Sequence, residues 1–124
     1  KTKHIQILSP MKKGIVGIDN LNRELQNILN PKSKNKMEKE FRDIVFRIGD
    51  KVMQTKNNYT LKWNKYNAED EANGIGVFNG DVGYIIDIKE ENDTVVVSFE
   101  DDKIVEYDSV FLDELTLAYA ITIH

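Results

Sequence analysis

The chain has 124 residues, 40% hydrophobic and 31% charged, enough apolar material for one ordinary core and too much for a disordered chain. It has no cysteine and only two histidines, His4 and His124, which excludes a disulfide framework and a thiolate zinc site and leaves too few imidazoles for a metal site of their own. The net charge of −4 conceals a polarity, because residues 1–66 carry 15 Lys or Arg and 6 acids whereas residues 67–124 carry 2 and 15; the basic half suits either a polyanion partner or plainly solvated faces.

In chain order, His4 to Ser9 is a short apolar run closed by Pro10 and reads as a strand. A basic loop through Lys12, Lys13 and Gly14 follows. Asp19 is a suitable N-cap for a helix whose apolar positions Leu21, Leu25, Ile28 and Leu29 share one face, and Pro31 stops it at Asn30. Lys32 to Lys39 is polar and lysine-rich and reads as a linker. Beyond it Gly49-Asp50 and Gly80-Asp81 each launch a strand, while Thr94–Phe99 and Lys103–Tyr107 are joined by Glu100-Asp101-Asp102 as a hairpin. Asn79-Gly80 is itself a hairpin signal, with Gly80 and Gly83 expected to serve a positive φ or a close approach. Four or five short strands with no helix between them argue for a small antiparallel barrel. Asn57 to Gly76, with Tyr59, Leu61, Trp63 and Tyr66, reads as an aromatic hairpin and a mobile excursion from that barrel. The last run, LTLAYAITIH from Leu115 to His124, reads as one buried strand that stops without a cap, as a cut inside a larger protein would leave it. The fold class is thus mostly β with a short α/β portion.

The chain contains no GxxxxGK[ST] loop, no metal-spaced cluster, no Ser-His-Asp set and no cysteine nucleophile. Its many carboxylates lie in turns such as Glu90-Glu91-Asn92-Asp93, where solvation leaves no reason for acid-base tuning. Binding is what remains. Lys12, Lys13 and Gly14 precede a helix N-terminus, whose free N–H groups and dipole favour a phosphate; an ordinary strand-to-helix loop is the alternative. The aromatics and lysines between Tyr59 and Tyr66 suit base stacking with backbone contacts, or a hairpin that covers its own core. No run approaches a membrane span and no signal peptide opens the chain, so a cytoplasmic location is expected.

Four blocks in order, PMKKGIVGIDNLNRELQNILNP, FRIGDKVMQTKNNY, VFNGDVGYIIDI and LDELTLAYAITIH, make the chain resemble the C-terminal part of RecD-type superfamily 1 DNA helicases, the exodeoxyribonuclease V alpha-subunit group of DNA repair and recombination. Lys62 to Gly76 is the least typical stretch. The resemblance implies a Src-homology-3-like barrel, residues 41–112, inserted into a RecA-like motor domain represented by residues 1–40 and by a truncated return strand, residues 113–124. It implies a parent that hydrolyses ATP with Mg2+, translocates on single-stranded DNA and unwinds duplex. These residues would then hold no cofactor and perform no catalysis, acting only to guide or clamp DNA beside the remaining helicase domains.

On the same resemblance, Pro10 to Gly17 matches helicase motif IV and Ala120 to His124 the first half of motif V, which makes Lys12, Lys13, Gly14, Thr122 and His124 the expected DNA contacts. Gln54, Asn57, Asn58 and Tyr59 are typical of the family at their turn, where they either brace the barrel or touch the strand. A KOW-like RNA- or ribosome-binding barrel and a protein-docking barrel are the rival readings, since GDKV and NGDVGYIIDI also suit such modules.

Overall fold

The computed structural model describes residues 6–10, 14–65 and 72–123. Two strands at opposite ends of the sequence, β1 (Ile7–Pro10) and β11 (Ala120–Ile123), pair in parallel with Ile7 opposite Ala120. Helix α1 (Gly14–Leu29) follows β1. A hairpin of β2 (Glu38–Phe41) and β3 (Ile44–Arg47) leads into the main sheet. That sheet has seven strands in the spatial order β10 (Leu115–Leu117), β4 (Lys51–Gln54), β7 (Val82–Lys89), β8 (Thr94–Phe99), β9 (Lys103–Tyr107), β5 (Asn58–Lys65) and β6 (Ala72–Val77). Its neighbours are all antiparallel. The architecture is mostly β with one α-helix among the described residues, as the succession of short strands and turns leads one to expect.

The core lies inside the curl of this sheet and joins Val52, Ile85, Val95, Val97, Val105 and Leu112 to Phe46, Tyr107 and Tyr119. In β8 the consecutive Val95, Val96 and Val97 are all buried, so this central strand is covered on both faces. Strand β7 carries a bulge between Ile85 and Asp87 that turns both Ile86 and Asp87 outward before Ile88 returns to the core. The connection Glu100–Asp102 does close the β8–β9 hairpin, with Asp101 and Asp102 both at positive φ.

Several expectations are corrected by long-range packing. Helix α1 begins at Gly14, so Asp19 is an exposed interior residue rather than a cap. Its most buried line is Ile18, Asn22, Gln26 and Asn30, and Leu21, Leu25 and Leu29 only flank it. Ile28, about 200° around the helix from Gln26, is 72% exposed. The expected linker, Lys32 to Lys39, ends inside β2, whose two-residue turn to β3 uses Arg42 at positive φ with its guanidinium over the Phe41 ring, a turn without the usual Gly or Asn. Asn79-Gly80 makes a turn but no hairpin, because β6 and β7 occupy distant places in the sheet. Gly80 has φ +96° in open space, whereas a Cβ at Gly83 would lie 2.6 Å from the Ser98 carbonyl oxygen across the β7–β8 pair.

The described residues of the stretch after Asn57 form a hairpin within the main sheet and no excursion. Leu61 is in the core, and β5 pairs with both β6 and β9. Tyr66 and the acidic residues up to Glu71 lie outside the described residues. LTLAYAITIH is two strands: Leu115–Leu117 closes on β4, the chain crosses at Ala118 and Tyr119, and Ala120–Ile123 joins β1.

Candidate nucleic-acid interface

Two buried polar networks set the geometry. The first centres on Asp50, which is fully buried at the turn into β4. One carboxylate oxygen accepts from Asn30 Nδ2 at 2.8 Å and the Tyr119 hydroxyl at 2.7 Å; the other accepts from Gln26 Nε2 and the Arg47 backbone N–H, both at 2.7 Å. Burial pushes the Asp50 carboxyl above its ordinary value, against the opposing pull of these donors. Burial and the adjacent Asp50 carboxylate push the Tyr119 phenol up as well. Gln26 and Asn30 also donate to the carbonyls of Val45 and Ile48. At the end of α1 the Arg47 guanidinium donates to the Asn30 carbonyl and pairs with Glu38 at 2.6 Å, placing a cation where the helix dipole is negative. Higher on the same helix face, Asn22 takes the role of a strand: its amide donates to the Ala120 carbonyl and accepts from the Ala120 N–H. Three amides therefore bind α1 to the barrel and to β11.

The second network centres on Glu114, just before β10. Gln54 Nε2 donates to Glu114 Oε1 at 2.7 Å and Asn58 Nδ2 to the same oxygen at 3.0 Å. Gln54 Oε1 accepts from the Tyr107 hydroxyl at 2.6 Å, a phenol that burial and the nearby Glu114 and Asp81 charges hold above its usual range. Asn58 Oδ1 in turn accepts from Thr60 N–H, Thr60 hydroxyl and Leu61 N–H. No buried side-chain polar atom among the described residues is left without a partner, as a folded polar cluster requires.

This network builds an exposed corner. The β4–β5 and β6–β7 loops are laced together, since Asn79 N–H donates to Asn57 Oδ1 and Gly80 N–H to the Gln54 backbone carbonyl, while Phe78 N–H donates to Asp81 Oδ2 within the β6–β7 loop. With Asn58 held inward, Tyr59 is turned out. Its ring meets Phe78 edge-on, centroids 5.6 Å apart at 64°, with the two residues 66% and 42% exposed. Gly76, at φ +112°, provides the seat, because a Cβ there would come within 2.9 Å of the Phe78 ring. Lys56 and Lys62, each three residues from Tyr59 in the chain, and Thr60 are exposed. A fixed aromatic pair with lysines beside it can stack unpaired bases while the ammonium groups meet phosphates.

Of the residues singled out from sequence, Asn57 and Tyr59 lie at this corner, while Asn58 is buried and committed to Glu114. Gly14 is the first residue of α1 and Thr122 pairs with Ser9 in the parallel sheet. Lys12, Lys13 and His124 lie outside the described residues. Phe78 was missed: it precedes Asn79-Gly80, and only the lacing of the two loops brings it to Tyr59. Among the described residues no group of acids and histidines is arranged to hold a metal ion, and no helix is long and apolar enough to cross a membrane.

A seven-stranded antiparallel sheet curled around one core, with its loops laced into an exposed aromatic corner, is a β-barrel module of the Src-homology-3 kind. A family model described as the ATP-dependent RecD-like DNA helicase SH3 domain matches residues 21–99. The ATP-dependent RecD2 DNA helicase of Deinococcus radiodurans is 37% identical over 120 residues, which are 97% of this chain and 14% of that protein. The chain belongs to the RecD-like DNA helicase SH3 domain family.

Proposed function

We propose that this chain is the strand-guiding module of an ATP-dependent DNA helicase. In this reading a barrel that takes in β10 (Leu115–Leu117) as well as residues 41–112 is inserted into a RecA-like motor domain, of which β1, α1 and β11 are pieces. ATP and Mg2+ bind elsewhere in the parent, and these residues hold single-stranded DNA against the moving motor domains. The observation that carries the reading is the Tyr59–Phe78 pair, two exposed aromatic rings at loops joined by hydrogen bonds, with exposed Lys56 and Lys62 three residues to either side of Tyr59 in the chain. Such a pair is a poor core and a good base platform. The α1 N-terminus at Gly14, with Lys12 and Lys13 before it, would add a phosphate contact.

The test is anisotropy of a labelled oligothymidylate, compared with a structured RNA at matched low salt. Tyr59→Ala and Phe78→Ala should each weaken DNA binding about fivefold or more, since stacking of one base is worth about 1–3 kcal/mol. Tighter binding to the RNA, or full affinity in both variants, would overturn the proposal.

A further inference from the structure

A second cluster lies farther along β5. Trp63 sits directly opposite Gly74 of β6, and a Cβ at Gly74 would come within 2.4 Å of the indole, so the ring rests on the bare backbone of its neighbour strand. On the other side β5 pairs with β9 at Asn64 and Ile104. One step along, that antiparallel register carries Lys65 opposite Lys103. Both ammonium groups converge on the Trp63 ring, Lys103 Nζ at 4.8 Å and Lys65 Nζ at 5.9 Å from its centroid.

Like charges facing each other across a strand pair are destabilising, and elsewhere on this sheet the cost is avoided: Lys89 meets Glu106 across the β-sheet at 3.2 Å. Among the described residues neither Lys65 nor Lys103 has a carboxylate in ion-pair reach, although Glu100, Asp101 and Asp102 immediately precede Lys103. The indole quadrupole offsets part of the repulsion. An anion between the two ammonium groups would offset the rest.

We propose that Trp63, Lys65 and Lys103 form a phosphate bracket that extends the path of a single-stranded nucleic acid from the Tyr59–Phe78 corner along β5. The proposal rests on the strand-guiding reading above and adds a second contact to it, one that draws on β9 as well as on the β5–β6 hairpin. From Tyr59 to Lys65 the strand covers at most about 20 Å at about 3.3 Å per residue, a span that several nucleotides can follow.

Trp63 is the single tryptophan of the chain, so its fluorescence reports on this bracket alone. The experiment titrates the chain with oligothymidylate over a range of salt, following Trp63 emission and the anisotropy of a label on the DNA together. The expected result is a saturable change in Trp63 emission and a salt slope that falls by about 0.7 for each of Lys65→Gln and Lys103→Gln, as expected when one phosphate of a single strand is no longer neutralised. Lys89→Gln should leave the slope unchanged. If the DNA binds by anisotropy but Trp63 emission stays constant and both slopes are retained, the bracket is overturned and the aromatic corner stands. If the DNA does not bind even at low salt, both fall.

Discussion

Removal of the Asp50 side chain tests whether the buried hub holds the helix, the barrel and the crossing at Tyr119 in one unit. Four donors converge on its carboxylate, but Asp50→Ala affects them unequally. Gln26 and Asn30 keep second acceptors in the Val45 and Ile48 carbonyls, at 2.7 Å and 3.0 Å. The Tyr119 hydroxyl and the Arg47 N–H lose the acceptor each has here. Two orphaned buried donors at about 1–3 kcal/mol each give about 2–6 kcal/mol, and relief of a desolvated carboxylate offsets part of it, for an expected loss of about 3 kcal/mol. Tyr119→Phe should cost about 1 kcal/mol in the wild-type background and recover about 1 kcal/mol in Asp50→Ala, because there it removes a buried hydroxyl already left without its acceptor. Urea denaturation followed by Trp63 fluorescence and by circular dichroism measures all four corners of this cycle. A loss below about 1 kcal/mol in Asp50→Ala, or additive effects of the two substitutions, would show that the hub does not join these elements.

Other outcomes follow from the same geometry. The folded-state pKa of Asp50 lies above its unfolded value of 3.8, so the folded state binds its proton more tightly and this group's contribution to stability is lost as pH rises through the folded pKa; wild type should therefore gain on Asp50→Ala as pH falls toward about 4 in denaturation curves. Gly76→Ala combines a φ of +112° with an approach of 2.9 Å to Phe78, and should cost about 1–3 kcal/mol and move the Phe78 ring resonances of the aromatic corner. Glu114→Ala leaves Asn58 Nδ2 without its acceptor, so stability should fall by about 1–3 kcal/mol and the affinity for oligothymidylate should fall with it as Tyr59 loses its anchor; unchanged affinity would separate the two networks. Charge reversal at Lys12 and Lys13 should lower the salt slope of DNA binding by about 0.7 for each phosphate no longer neutralised.

Much of the strand pattern was legible because it is local. Thr94–Phe99 and Lys103–Tyr107 alternate or run apolar between turn residues, and their bounds in the structure are those read from the sequence. The family was legible too, since four ordered blocks are a property of the chain itself. The face of α1 was not. Its buried line holds Asn22, Gln26 and Asn30, and an amide looks like a surface residue until Ala120, Val45 and Asp50 are brought against it. The site divides in the same way: Tyr59 was visible as an aromatic beside lysines, whereas Phe78 depends on Asn57 capping Asn79 across 22 positions.

By itself, then, the sequence determined which segments extend, where turns such as Asn79-Gly80 and Glu100–Asp102 fall, and which family the chain resembles, because these depend on neighbouring side chains and backbone preferences. Tertiary structure decided which strands meet. It divided LTLAYAITIH between two sheets, brought Lys65 and Lys103 to the one Trp63 ring, and chose Tyr119 as the joint, because a strand's partner is selected by burial and hydrogen bonding across the whole fold and no local pattern encodes it.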